Sequence, residues 1–355
     1  MKESRKIIKK IKEVSQNNEF KERHTINKEK NFIRQRKISF SDIIMYEIAN
    51  TRNPIAIEAE RFSSCIGKDV SSAALCKARQ KISYTAFKEL FEITSKICPL
   101  DKKYHNYRLI AVDGMKGELP RTPELVAKYR ISPQSNEPIF HAVAAFDVLN
   151  EIFIASKFHC GSANERELAG NIINQISEDE FYRNEEQIWI FDRGFPALEL
   201  LQNLKEKNFK FVMRVSKSFL KEVNEFRESK YVDKEVHVNY TAQRSKANKV
   251  EIKGQEALEL DLRCVRINLP KEKEILITNL DKTTFPKRFI KEIYSLRWGI
   301  ETNFNQLKNS IFVEEFTSKS ENGFQQDYYA SLLMYNFVTS VVGTLNENIP
   351  LKKQN

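Results

Sequence analysis

Between residues 41 and 100 the apolar positions recur at helical spacing, and serines stand where helices would begin. "SFSDIIMYEIAN" opens on a cap residue, and "SSAALCKARQKI" starts with serines before an apolar periodicity interrupted by Lys77, Arg79 and Lys81. The pattern then shortens into β-rich runs. "YRLIAVDG" reads as a strand entering an Asp-Gly turn, and "IFHAVAAFDVLNEIFIASKFHCG" as two strands joined in a hairpin. After the helical "NERELAGNIINQI" comes "QIWIF", a buried strand that stops at Asp192. "PALELLQNLKEKN" follows as a helix with proline in its first turn, and "FKFVMRVS" as the next strand. Three strands, then helix, strand, helix and strand, predict an α/β domain with a mixed sheet.

Residues 215 to 286 change character again. "EVHVNY", "NKVEIKG", "LRCVRINL" and "EILITNL" alternate or carry β-branched residues between polar turns, which predicts a small β-rich subdomain. Helical periodicity returns in "YSLRWGIETNFNQLK", residues 294 to 308. On one continuous helix Tyr294, Arg297, Glu301 and Lys308 fall within an arc of roughly 60°. That stripe borders the apolar one formed by Ile290, Ile293, Leu296, Ile300, Phe304, Leu307 and Ile311. Side chains at the edge of a core can meet a ligand from a rigid backbone. The spacing equally fits an ordinary polar face with an Arg297–Glu301 ion pair. The aromatic tail "GFQQDYYASLLMYNFVTSVVGTL" reads as a core helix.

Charge adds a direction to this pattern. The chain of 355 residues carries 58 Lys and Arg against 48 Asp and Glu, and residues 1–40 alone hold 13 basic and 5 acidic side chains. A basic N-terminal block suits a polyanionic partner, since each neutralised phosphate releases counterions; a solubilising tail would have the same composition. "GKDVSSAALCKARQKISYTAFKEL" has the turn, small residues and basic face of a helix-turn-helix module, with Lys77, Arg79 and Lys81 as candidate DNA contacts, and small helical bundles share that look. No signal-peptide run and no membrane-length apolar stretch occurs, so a cytoplasmic location is expected. The five cysteines lack a CxxC pair and the five histidines are dispersed, so neither a disulfide framework nor a zinc site is expected. Nucleotide-binding glycine loops are absent too, and no nucleotide cofactor is implied.

Two acids close apolar strands, Asp113 in "AVDGMKG" and Asp192 in "IFDRGFP". Ligand sites collect at such strand ends, although Asp before Gly is also common turn chemistry. With Glu301 they form an ordered set of three, and Tyr294, Arg297, Glu301 and Lys308 spell Y-x2-R-x3-E-x6-K, with Trp298 and Ile300 completing an "RWxIE" wording. This combination resembles the DDE transposases of the insertion-sequence-4 family, over about residues 105–340.

The resemblance implies an RNase H-like mixed sheet flanked by helices, with Asp113, Asp192 and Glu301 as catalytic residues holding Mg²⁺ or Mn²⁺, as two ions. Asp113 with Glu301 would hold one ion and Asp113 with Asp192 the other. Three carboxylates converging on one spot do call for a cation, because two of them about 4 Å apart repel by roughly 4 kcal/mol at an effective dielectric near 20. Tyr294, Arg297, Lys308 and Trp298 would contact DNA, joined by Arg193 and Lys116 beside the aspartates. The chain would bind the terminal inverted repeats of its own element as a homodimer on double-stranded DNA. It would cut the ends by phosphodiester hydrolysis and join them to target DNA by transesterification, in a bacterial, nucleoid-associated setting. An inactive DNA-binding descendant acting as a repressor, or another RNase H-like nuclease, are the alternatives.

The expected organisation is a helical DNA-binding region at 1–100, the core in two parts at 101–214 and 287–355, and the β-rich insertion at 215–286. Relatives that form hairpins place a stacking tryptophan in that insertion. Here both tryptophans, Trp189 and Trp298, lie outside it, which leaves Tyr231 and Tyr240 as candidates for stacking.

Overall fold

The computed structural model describes residues 2–34, 36–130, 132, 134–159, 164–217, 219–241, 257–268, 273–310 and 318–347. Six helices come first: α1 (Lys2–Gln16), α2 (Asn18–His24), α3 (Phe40–Ile48), α4 (Ile55–Ile66), α5 (Ser72–Arg79) and α6 (Thr85–Ser95). The serines act as the sequence suggests. Ser39 and Asp42 form a reciprocal capping box on α3, and the Ser71 hydroxyl accepts the Ala74 N–H at the start of α5.

The sheet strands are β1 (Arg108–Glu118), β2 (Ile139–Asp147), β3 (Ile152–His159), β4 (Gln187–Phe191) and β5 (Lys210–Arg214), with α7 (Pro123–Tyr129), α8 (Glu165–Glu178) and α9 (Leu198–Glu206) between them. After α10 (Lys221–Glu228) come β6 (Asp233–Thr241), β7 (Ala257–Asn268) and β8 (Lys273–Thr278), then α11 (Lys287–Ser295), α12 (Trp298–Ser310) and α13 (Glu321–Glu347). The proline expected in the first turn of α9 lies just ahead of it, because the chain around Ala197 is still extended.

One eight-stranded sheet runs in the order β3-β2-β1-β4-β5-β8-β7-β6. β2 is antiparallel to β1 and β3, whereas β4 and β5 run parallel to β1. The 3-2-1-4-5 half is the RNase H-like arrangement, and the fold is a mixed α/β one. Strands inside it are apolar on both faces, since helices cover both sides; β4 is buried at every position. The run 215–286, expected as a β-rich insertion, supplies β6, β7 and β8, which lengthen this sheet: β8 pairs antiparallel with β5 and carries β7 and β6 outward. "NKVEIKG" lies outside the described residues.

The tail helix α13 is the core element its composition suggests. Its Tyr328 hydroxyl lies 2.8 Å from Ser156 Oγ, and Asn336 bonds both backbone groups of Phe153 on the edge strand β3, at 2.9 and 2.8 Å. α13 also packs on α1, α3 and α6, so it ties the N-terminal helices to the sheet. Among the described residues no helix is long and apolar enough to cross a membrane.

Candidate active site

β1 and β4 are parallel neighbours whose last paired residues are Val112 and Phe191. The next residue on each is an aspartate, so the ladder itself delivers Asp113 and Asp192 side by side. Asp113 is not a strand end as its Asp-Gly step suggested. β1 continues to Glu118 against β2, and only its parallel partner stops. Gly114 serves this continuation as a close approach, because a Cβ there would lie 2.9 Å from the Glu165 carboxylate.

Glu301 arrives from α12, which packs on β1. The predicted continuous helix is broken here: α11 ends at Ser295 and α12 starts at Trp298. Through the break the N–H groups of Arg297, Gly299 and Ile300 bond carbonyls three residues back, a tightening that resets the helical phase. Arg297 sits in this turn, and its side chain is only 3% exposed. Its Nη1 lies 2.5 Å from Glu301 Oε1 and 3.9 Å from Asp113 Oδ2. One guanidinium therefore faces two of the three acids. Its planar head also lies 5.7 Å from the Tyr294 ring centre and 5.5 Å from that of Trp298.

Asp192 is held from the other side. The buried Tyr294 hydroxyl donates to Asp192 Oδ1 at 3.0 Å, and burial together with that carboxylate pushes the phenol well above its ordinary range. Arg214 Nη1 lies 3.7 Å from the same oxygen, while Nη2 bonds Glu274 on β8. Burial raises the Asp113 carboxyl to about 6; the Gly114 N–H and Arg297 pull it down, and the charges of Glu301 and Asp192 push it up. Four acids, Asp113, Asp192, Glu301 and Glu274, thus meet two arginines.

The donor set fits a hard divalent cation. Its members are carboxylate oxygens, one of them with a raised pKa among like charges, and all three site acids keep partial solvent access at 22%, 28% and 32%. Among the described residues no three acidic, His or Cys side chains are already set as ligands around one point.

The other candidates divide. Trp298 is 61% exposed next to the acids. Arg193 is exposed beside Asp192, in a loop pinned by an Arg166 Nε to Gly194 O hydrogen bond of 3.0 Å. Lys116 is exposed, with Nζ 3.9 Å from Glu165. Lys77 is exposed on α5, and Lys81 is half-buried with Nζ 5.9 Å from the Phe32 ring centre. Arg79 turns inward: its guanidinium lies 3.0 Å from Glu47 and 2.6 Å from Asp327, and donates to Gly323 O and Gln326 Oε1. Tyr231 is 57% exposed, but Tyr240 is buried and offers no stacking face. The Lys308 side chain lies outside what the structure describes.

Sequence reading missed Arg214 and Glu274. A signal for Arg214 was present, because it ends the apolar run of β5 as Asp192 follows that of β4, and Phe191 pairs with Met213. Glu274 had none, since its place depends on β8 joining the sheet.

Residues 104–337 match the transposase DDE domain family. The chain is 24% identical over 280 residues to the transposase InsG for insertion sequence element IS4 of Escherichia coli strain K12, an alignment covering 76% of this chain and 60% of that protein. The chain thus spans about 60% of the length of this curated relative. A solved structure, a piggyBac transposase synaptic complex with hairpin DNA, aligns over 98% of this chain and 83% of its own, at 12% identity and a TM-score of 0.46. With its site acids and the Tyr-Arg-Glu helix pair inside the matched span, the chain belongs to the transposase DDE domain family.

Proposed function

We propose that the chain is a transposase that binds the inverted ends of its own element, cuts them by metal-dependent phosphodiester hydrolysis and joins them to target DNA. The observation that carries this reading is the meeting of Asp113 and Asp192 on adjacent parallel strands with Glu301 across a single guanidinium. Asp113, Asp192 and Glu301 would hold Mg²⁺ or Mn²⁺, two ions in all. Bound there, such cations would polarise the phosphodiester and acidify the attacking hydroxyl.

The chain's own residues supply the rest. The three carboxylates give the negative charge that retains cations, and Asp113 must be deprotonated to do so, which its raised pKa opposes in mildly acidic solution. Tyr294 orients Asp192 through its hydroxyl. Trp298, Arg193 and Lys308 would grip the DNA end near the cleaved bond, Arg297 would join them once released from Glu301, and Lys77 and Lys81 would add contacts from α5. We assign Arg79 to holding the fold instead, in view of its buried pairings. Hydrolysis leaves a 3′-hydroxyl, whose attack on target DNA forms one phosphodiester for each one broken, so no nucleotide need be consumed. Joining two ends to one target suits a homodimer.

Nicking of labelled duplex carrying the element's terminal repeat tests this reading. Mg²⁺- or Mn²⁺-dependent cutting is expected, abolished by Asp192→Asn with binding retained. Binding without cutting by the unaltered chain would indicate a repressor, and equal cutting of unrelated duplexes another nuclease.

A further inference from the structure

We propose that Glu274 is a positioning residue for Asp192: it draws the Arg214 guanidinium aside so that the Asp192 carboxylate stays open to a divalent cation. This rests on the reading of the three acids as a cation site. The partners of Arg214 include two carboxylates. Its Nη2 is hydrogen-bonded to Glu274 Oε1, while Nη1 stops 3.7 Å from Asp192 Oδ1, beyond hydrogen-bond length. Arg214 and Glu274 are 16% and 8% exposed, so water screens this competition little.

The sheet fixes the contest. Arg214 is in register with Leu276 of β8, and Glu274 lies two residues along that strand, on the same face and within diagonal reach. Asp192 occupies the neighbouring position on the other flank, one residue past the Phe191–Met213 pair. Arg214 therefore stands between an acid of the core and an acid of the inserted strands. Without Glu274, the fork of Arg214 would close on Asp192 in the paired geometry that arginine and carboxylate prefer. A cation would then have to displace it. The inserted strands would thus contribute to the site a counter-acid that the core half of the sheet lacks.

The test is calorimetric titration of Mn²⁺ into the full chain, with circular dichroism as a check on folding. Glu274→Ala should weaken Mn²⁺ binding by about 10- to 100-fold, the range for residues that support a ligand. Adding Arg214→Ala to that variant should restore affinity to near that of the unaltered chain, and Arg214→Ala alone should bind Mn²⁺ at least as tightly. A Glu274→Ala chain with unchanged affinity would overturn the proposal. So would a double variant as weak as the single one, or, if Glu274→Ala fails to fold, a weakened Arg214→Ala chain. Failure of the underlying reading looks different: Asp192→Asn would then bind Mn²⁺ as well as the unaltered chain, whatever stands at 274.

Discussion

At the joint of α3, α5 and α13, Glu47 and Asp327 face Arg52 and Arg79; where the pairing of β1 with β4 stops, Asp113, Asp192, Glu301 and Glu274 face Arg297 and Arg214. The first cluster matches acid to arginine one for one, and its acids are 0% and 1% exposed. It joins the N-terminal helices to the tail helix. Among the described residues the second holds two more acids than arginines, and Asp113, Asp192 and Glu301 keep partial solvent access. Excess negative charge at an opening is what a cation or a polar ligand can relieve, whereas buried acids already facing arginines offer a cation far less. Burial and charge balance, not residue type, separate a site from a joint. Arg79 illustrates the distinction, since its position on a basic helix suggested DNA while its partners make it a fastener.

The largest effect that could break this comparison is on catalysis. Asp192→Asn should reduce Mn²⁺-dependent nicking by more than the roughly 10- to 100-fold expected for a supporting residue, with little change in stability. Asp327→Asn should leave nicking by the folded fraction in place, and single-turnover assays on folded protein distinguish the two. Next comes stability. Arg79→Ala should lower the unfolding free energy by about 3–5 kcal/mol, because it strands buried carboxylates, as measured by urea denaturation.

A smaller effect has the opposite sign. The folded Asp113 carboxyl lies at about 6, above the roughly 3.9 of an unfolded aspartate. Between these pH values the folded chain keeps a proton that the unfolded chain has lost, so stability from this group is full below about pH 4 and declines as pH rises through 6. Asp113→Asn should therefore stabilise the metal-free protein at pH 7 by on the order of 1 kcal/mol and flatten its stability profile between pH 4 and 6. Thermal unfolding across that range checks it. The smallest effect is on DNA affinity: Lys77→Ala should weaken binding modestly and reduce the slope of log affinity against log salt by about 1. An unchanged slope would remove α5 from the DNA contacts.

Much of this was legible in the sequence because local rules govern it. Period-two and period-3.6 patterns gave the β1–β3 run, the β4–α9–β5 unit and the tail helix, and Ser39 announced α3. Asp192 was visible because an apolar strand stops there. Asp113 was visible as a residue, but its setting was misjudged, since the antiparallel partner that carries β1 onward is distant in sequence. The break at Leu296–Arg297 was hidden because the apolar periodicity runs across it. Whether inserted strands form a separate unit or extend an existing sheet depends on edge pairing between β5 and β8, which composition does not encode. Glu274 and the inward turn of Arg79 are consequences of such long-range placement.

The central claim is that Asp113, Asp192 and Glu301 form one divalent-cation site. Calorimetric titration of Mn²⁺ into the unaltered chain and into the Asp113→Asn, Asp192→Asn and Glu301→Gln variants tests it most directly. Saturable uptake by the unaltered chain, weakened in each variant, is predicted; equal uptake in all four proteins, or none in the unaltered chain, would contradict it.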